Sequence, residues 1–152
     1  MLFRSLHKLV THGKFADRTT YPVGDLEGAT MGILGFGRIG SRVAHLASAF
    51  GMKVIAYDPF VEVPTQYRVA SMSEVLASAD VLTLHMPLTA ENKNLISAAT
   101  LATMRDGAIL INCSRGALID LDAALVALNS GKLGGLGLDV FDPEPQIGRA
   151  HV

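Results

Sequence analysis

Tryptophan is absent, and cysteine occurs once, at Cys113. A single thiol excludes an internal disulfide and fits a reducing compartment, so the expected location is the cytoplasm. Excess charge of either sign is also missing: 13 Lys and Arg stand against 14 Asp and Glu, for a formal net charge of −1. That balance gives no electrostatic footprint for nucleic acid or an anionic membrane surface. No apolar run approaches the roughly 20 residues needed to span a bilayer. The opening MLFRSLHKLV lacks the long apolar core and small-residue cleavage site of a secretory signal. His7 and His12 have no companions at metal-ligand spacing, so no metal site is expected. What the chain does have is 49% hydrophobic residues over a length of 152, enough for the core of one domain.

The rest is organised around Thr30 to Asp58, TMGILGFGRIGSRVAHLASAFGMKVIAYD. A short apolar run, Met31 to Leu34, leads into Gly35-Phe36-Gly37-Arg38-Ile39-Gly40. Ile39, Val43, Leu46, Ala47 and Phe50 then recur at helical spacing on one apolar face, and Gly51 closes the helix. A second apolar run, Val54 to Tyr57, ends at Asp58, 18 residues beyond Gly40. Strand, glycine turn, helix, strand and acid make a dinucleotide-binding unit. Gly35 suits the tight turn, Gly37 the approach of a pyrophosphate, and Gly40 close packing of helix on strand. The helix N-terminus offers free N–H groups and partial positive charge to phosphates. Asp58 suits the two hydroxyls of an adenosine ribose and would repel a 2′-phosphate, so NAD is expected over NADP. A methyltransferase binding S-adenosylmethionine shares strand, turn and acid, and is the competing reading of this stretch.

The remaining chain repeats the alternation. Leu2, Leu6, Leu9 and Val10 could line a helix that His12-Gly13 would end, followed by an irregular connector to about residue 25. Ser71-Met72-Ser73-Glu74 has the pattern of a capping box and opens a short helix. Strands are expected at Val81–His85, with His85 in a structural role, and at Ala108–Asn112, with a short helix from Ser97 to Met104 between them. Asp120 should cap a helix whose apolar face is Leu121, Ala124, Leu125 and Leu128. A last strand, Leu136 to Val140, would carry Asp139 near its end. The fold class is therefore α/β: a Rossmann-type, doubly wound, mostly parallel sheet with helices on both faces. Ligands bind beyond the carboxyl ends of such strands. Those ends carry Gly35, Asp58, His85-Met86-Pro87, Cys113-Ser114-Arg115 and Asp139.

The strings LEGATMGILGFGRIGSRVA, HMPLTAENKNLI, NCSRGALID and GLDVFDPEP, in unbroken order over residues 26–145, resemble the NAD-binding domain of the D-isomer-specific 2-hydroxyacid dehydrogenases. The resemblance implies interconversion of a D-2-hydroxy acid and its 2-keto acid by hydride transfer, with NAD as cofactor and a homodimer made through this domain. By motif position, Arg38 and Ile39 would meet the pyrophosphate, and Asp58 would hold the adenosine ribose. Met86, Pro87 and Asn92 would border the adenine side. Cys113 and Ser114 would lie beside the nicotinamide ribose, and Asp139 would take the carboxamide. Arg115 resembles the arginine that grips the keto acid through charge-assisted hydrogen bonds. Glu144 resembles the acid that orients a catalytic histidine.

That histidine is not in the chain: His151 lies seven residues after Glu144 and lacks the family context. Residues 1–25 read as helix and connector from an incomplete substrate domain. Residues 146–152 have no family counterpart; they resemble a translated sequencing adapter and are expected to be artefactual. The 152 residues alone are accordingly expected to bind NAD weakly and without turnover. A non-enzymatic NAD-sensing module of the corepressor kind is the alternative from another class.

Overall fold

The computed structural model describes residues 11–14, 16, 24–67 and 71–144. The apolar runs become five strands: β1 (Thr30–Leu34), β2 (Lys53–Tyr57), β3 (Val81–Leu84), β4 (Ala108–Asn112) and β5 (Leu133–Leu138). All neighbours pair in parallel, in the order β2-β1-β3-β4-β5. Between them lie α1 (Arg38–Ala49), α2 (Met72–Ser78), α3 (Ala98–Thr103) and α4 (Leu121–Asn129), with a 3-10 turn at Gly116–Leu118. From β1 the chain moves outward to β2, then returns past β1 to β3. That reversal is the switch point at which doubly wound sheets bind ligands.

Pairing register assigns each strand residue to a face. Leu34, Leu82, Leu84 and Leu110 share a buried cluster with Val75 and Leu76 of α2, Leu101 of α3, and Ala124 and Ala127 of α4. On the other face Ile33, Val54 and Ala56 pack under Ala44 and Ala47 of α1. Helices therefore occupy both faces, as the alternation predicts.

Two helices turn a different side to the sheet than their apolar spacing suggests. α1 buries Gly40, Ala44 and Ala47, while Ile39, Leu46 and Phe50 remain 66%, 47% and 64% exposed. α4 buries Ala124 and Ala127, leaving Leu121 and Leu125 exposed. Small residues let a helix axis approach a sheet closely, so the contact face is the one with least bulk. β5 starts three residues before its expected position, at Leu133, and Asp139 falls just beyond it. Glycines at 134, 135 and 137 weaken the strand signal there; Gly135 and Gly137 still pair with Ile109 and Ile111, and the register skips Gly134 as a bulge.

The caps follow the sequence closely. Ser71 Oγ accepts from Glu74 N–H, and Asp120 Oδ1 accepts from Ala123 N–H at 3.1 Å. A reciprocal box forms at Ser97 and Thr100, where the sequence reading places none. Gly51 takes the left-handed conformation, with φ of 75°, as expected of a helix stop. On the outer side of β2, Ala56 N–H donates to the carbonyl of Tyr67 at 2.7 Å. The helix expected around Leu2–Val10 and the tail from Gln146 lie outside the described residues. Among the described residues no helix is long and apolar enough to cross a membrane.

Candidate functional site

The three glycines of the first turn differ in what holds them. Gly35 has φ +94°, and a Cβ there would lie 2.5 Å from the His85 carbonyl oxygen. A Cβ on Gly40 would strike the carbonyl of Gly35. Both are fixed by the fold itself. A Cβ on Gly37 would meet nothing within 4 Å, so no protein atom accounts for that glycine. Gly37 is also the N-cap of α1, which has no side-chain cap and no acid in its first turn. The other three helices are capped by Ser71, Ser97 and Asp120. An uncapped N-terminus beside open space, carrying exposed Arg38 and Ile39, fits a pyrophosphate.

Asp58 is pinned to this turn. One carboxylate oxygen accepts from Phe36 N–H at 2.7 Å; the other accepts from Phe60 and Val61 N–H at 2.8 and 3.0 Å. Beside it opens a cavity of about 320 Å³ lined by Gly35, Tyr57, Asp58, Pro59, Phe60, Met72, Met86, Pro87, Thr89, Glu91, Asn92 and Leu95. Five of the sequence-predicted residues (Gly35, Asp58, Met86, Pro87 and Asn92) thus meet at one place. Asn92 fastens its own loop: its Oδ1 accepts from Thr89 N–H at 2.7 Å and its Nδ2 donates to the Pro87 carbonyl at 2.8 Å. Tyr57, Phe60 and Met72 escape the sequence reading. Phe60 is 91% exposed and carries no periodic signal.

A second cavity, of about 210 Å³, lies at the ends of β4 and β5 and is lined by Leu88, Ser114, Arg115, Gly116, Ala117, Val140, Phe141, Asp142 and Glu144. Arg115 and Glu144, apart in sequence, therefore share one wall system. Asn112 organises it. Its side chain is fully buried, accepting from Ser114 N–H at 3.0 Å and donating to the Arg115 carbonyl at 2.9 Å. Ser114 Oγ donates to the Leu84 carbonyl at 2.7 Å, tying the loop to the end of β3. Glu144 accepts from Phe141 N–H at 2.6 Å, and Gly116 packs directly against the Phe141 backbone. Asn112 and Gly116 are absent from the sequence-derived set, although an Asn closing an apolar run was a readable signal. Cys113 and Asp139 border neither cavity. Both are exposed, each one step beyond the paired residues Asn112 and Leu138.

His85 lies between the two loops. Its backbone N–H donates to the Leu34 carbonyl at 2.7 Å, and its Nε2 lies 3.0 Å from the Thr83 hydroxyl. Burial lowers its pKa from the ordinary value of 6.5. The unfolded chain then takes up a proton that the folded chain refuses, so stability is full above pH 6.5 and falls as the pH drops toward the folded value. His85→Gln should flatten this acid limb in melts taken between pH 7 and pH 5. An unchanged limb would remove His85 as its source. No histidine lines either cavity.

Residues 2–151 match the family model described as D-isomer specific 2-hydroxyacid dehydrogenase, NAD binding domain. The chain belongs to that family. A D-3-phosphoglycerate dehydrogenase of Bacillus subtilis is 45% identical over 135 residues, covering 86% of this chain and 26% of the relative. A glycerate dehydrogenase of Methylorubrum extorquens is 46% identical over 125 residues, covering 82% of this chain and 38% of its own length. The solved D-lactate dehydrogenase of Aquifex aeolicus, a complex with NAD and lactic acid, superposes with a TM-score of 0.85 at 38% identity. That match covers 93% of this chain and 44% of the other. The chain thus spans less than half the length of these relatives. The 2-hydroxyacid dehydrogenase match extends through both cavities, a span the methyltransferase reading does not account for.

Proposed function

We propose that this chain is the cofactor-holding part of an NAD-dependent oxidoreductase that interconverts a D-2-hydroxy acid and its 2-keto acid. The observation that carries the reading is the pair of cavities at one sheet edge. One surrounds Asp58 beside the glycine turn, and the other holds Arg115 with Glu144. In this assignment the first cavity takes the adenosine half of NAD. Asp58 receives the ribose hydroxyls, while Met86, Pro87 and Asn92 flank the adenine. Gly37, Arg38, Ile39 and Gly40 present backbone N–H groups to the pyrophosphate, while Gly35, whose N–H is held by the Tyr57 carbonyl, makes the turn. Cys113, Ser114 and Asp139 border the nicotinamide end.

NAD supplies the hydride chemistry when bound, and the chain's own residues place the substrate. Arg115, the cation of the second cavity, is assigned to the substrate carboxylate. Glu144 is assigned to orient the imidazole that protonates the carbonyl oxygen. With no histidine on either cavity wall, that imidazole comes from outside residues 11–144. Residues 26–145, which carry the four motifs, are assigned to the NAD-binding unit, and residues 1–25 to its junction with a substrate domain. The whole protein is read as a cytoplasmic homodimer.

A fluorescence titration tests the assignment. NADH should bind saturably, NADPH at least tenfold more weakly because of Asp58, and no keto acid should be turned over. Binding of S-adenosylmethionine with no response to NADH would instead establish the methyltransferase reading.

A further inference from the structure

The two cavities are joined by one stretch of chain. Pro87 lines the first, and the next residue, Leu88, lines the second. The chain then runs back along the first cavity through Thr89, Asn92 and Leu95 before α3 begins. At its far end this strap is stitched to the turn that follows Arg115. Asn94 N–H donates to the Ala117 carbonyl at 2.8 Å, and Ile96 N–H to the Leu118 carbonyl at 3.0 Å. In return Asp120 N–H donates to the Ile96 carbonyl at 2.9 Å. The bonds make a short parallel pairing outside the main sheet, with Ile96 opposite Ile119. Leu95, which faces the first cavity, sits between the two donors. The turn itself has only the longer bonds of Leu118 N–H to the Arg115 carbonyl and Ile119 N–H to the Gly116 carbonyl, at 3.2 and 3.1 Å. Asn112 holds the turn at its base, and the strap holds its other end.

Asn94 makes the crossing possible. Its φ is 54°, the one positive value outside glycine among the described residues. Its side chain is exposed, so the position answers to its backbone. Asparagine tolerates this left-handed conformation, whereas a β-branched residue is strained in it. The consequence of the conformation is visible in the donors. Asn94 N–H reaches out to Ala117, while Leu95 N–H folds back to the Asn92 carbonyl at 3.1 Å and closes the loop beside the cavity. An uncommon backbone conformation thus stands at the junction of two ligand cavities, where such conformations serve function.

We propose that Asn94 is a positioning residue that couples the two cavities: a ligand in the first holds the strap closed, and the closed strap holds the Arg115 turn. The coupling rests on the nucleotide reading of the first cavity. Segments bonded this lightly open locally within the native state. Opening the strap takes Leu95 from the cavity wall and three hydrogen bonds from the turn in one event. A ligand that binds only the closed form suppresses the opening by the factor 1 + [L]/Kd, about 100-fold at 100 times the dissociation constant. Arg115 is thereby readied for its acid by a nucleotide that does not touch it.

Amide hydrogen exchange in the whole chain tests this with AMP, which fills the first cavity and carries no group that extends to the second. Phe60 and Val61, bonded to Asp58, report occupancy. At saturating AMP the amides of Leu118, Ile119 and Asp120 should exchange at least tenfold more slowly. Those of Gly28 and Lys53, at the opposite end of the sheet, should change less than twofold. Asn94→Gly adopts the same φ freely and should keep the effect. Asn94→Val should abolish it while Phe60 and Val61 remain protected, with Asn94→Ala in its place if the valine variant does not fold. Protection at Phe60 and Val61 without protection at Leu118, Ile119 and Asp120 overturns the coupling alone. Equal slowing at Gly28 and Lys53 overturns it too, because AMP would then act through global stability. Protection that survives the loss of the Asn94 conformation removes Asn94 from the role. No protection at any of these amides overturns the nucleotide reading, and the coupling with it.

Discussion

Gly37→Ala is expected to leave the thermal unfolding midpoint unchanged while weakening NADH roughly tenfold, or about 1.4 kcal/mol. Gly40→Ala should do the reverse first: it destabilises the chain by about 3 kcal/mol and loses binding as a consequence. The difference follows from what each new methyl group meets. At Gly40 it is driven into the Gly35 carbonyl, which the fold holds in place. At Gly37 it points into space that only a ligand fills. Paired melting and NADH titrations separate the two variants. If Gly37→Ala unfolds as early as Gly40→Ala, the middle glycine is structural and the pyrophosphate assignment loses its main support.

Asn112→Leu is the second large effect expected, at about 3 kcal/mol. Ser114 N–H and the Arg115 carbonyl would both lose a buried partner. The loop bearing Arg115 would then be released at its base, while Asp58 and the glycine turn stay intact. Denaturant melts should show the loss of stability. The rate of Cys113 alkylation should rise at the same time, because that exposed thiol sits inside the loop Asn112 fastens. Asn112→Leu melting with the wild type, and no change at Cys113, would show that the loop holds itself.

Much of the architecture was legible because its signals are local. β4 occupies the expected Ala108–Asn112, bounded by Gly107 and a loop, and the caps at Ser71 and Asp120 lie three residues before the N–H groups they receive. The errors share one cause. Hydropathy spacing ranks residues by apolar bulk, whereas close helix–sheet contact selects small size. Gly40, Ala44 and Ala47 thus outcompete Ile39, Leu46 and Phe50 for the sheet. The start of β5 was hidden for a related reason: Gly134, skipped by the register as a bulge, and the paired Gly135 contribute no hydrophobic signal.

At the site, Gly35, Asp58, Met86 and Arg115 could be found because motif spacing ties them to strand ends. Phe60, Leu88 and Phe141 line the cavities from loops, where no period constrains a side chain. The clamp of Asn112 depends on a turn closing three residues later, which spacing alone does not reveal.

Three helices complete their first turn with side chains of their own, whereas α1 leaves its first turn without such a partner. A phosphate arriving there would act as the missing piece of secondary structure. Part of the free energy of binding then becomes free energy of folding, and heat tolerance becomes a function of metabolite level. At a free cofactor concentration 100 times the dissociation constant, the linkage amounts to about 2.7 kcal/mol. Amide hydrogens of Arg38, Ile39 and Gly40 would slow their exchange with solvent in step. A cell depleted of cofactor would hold this domain in its most perishable form.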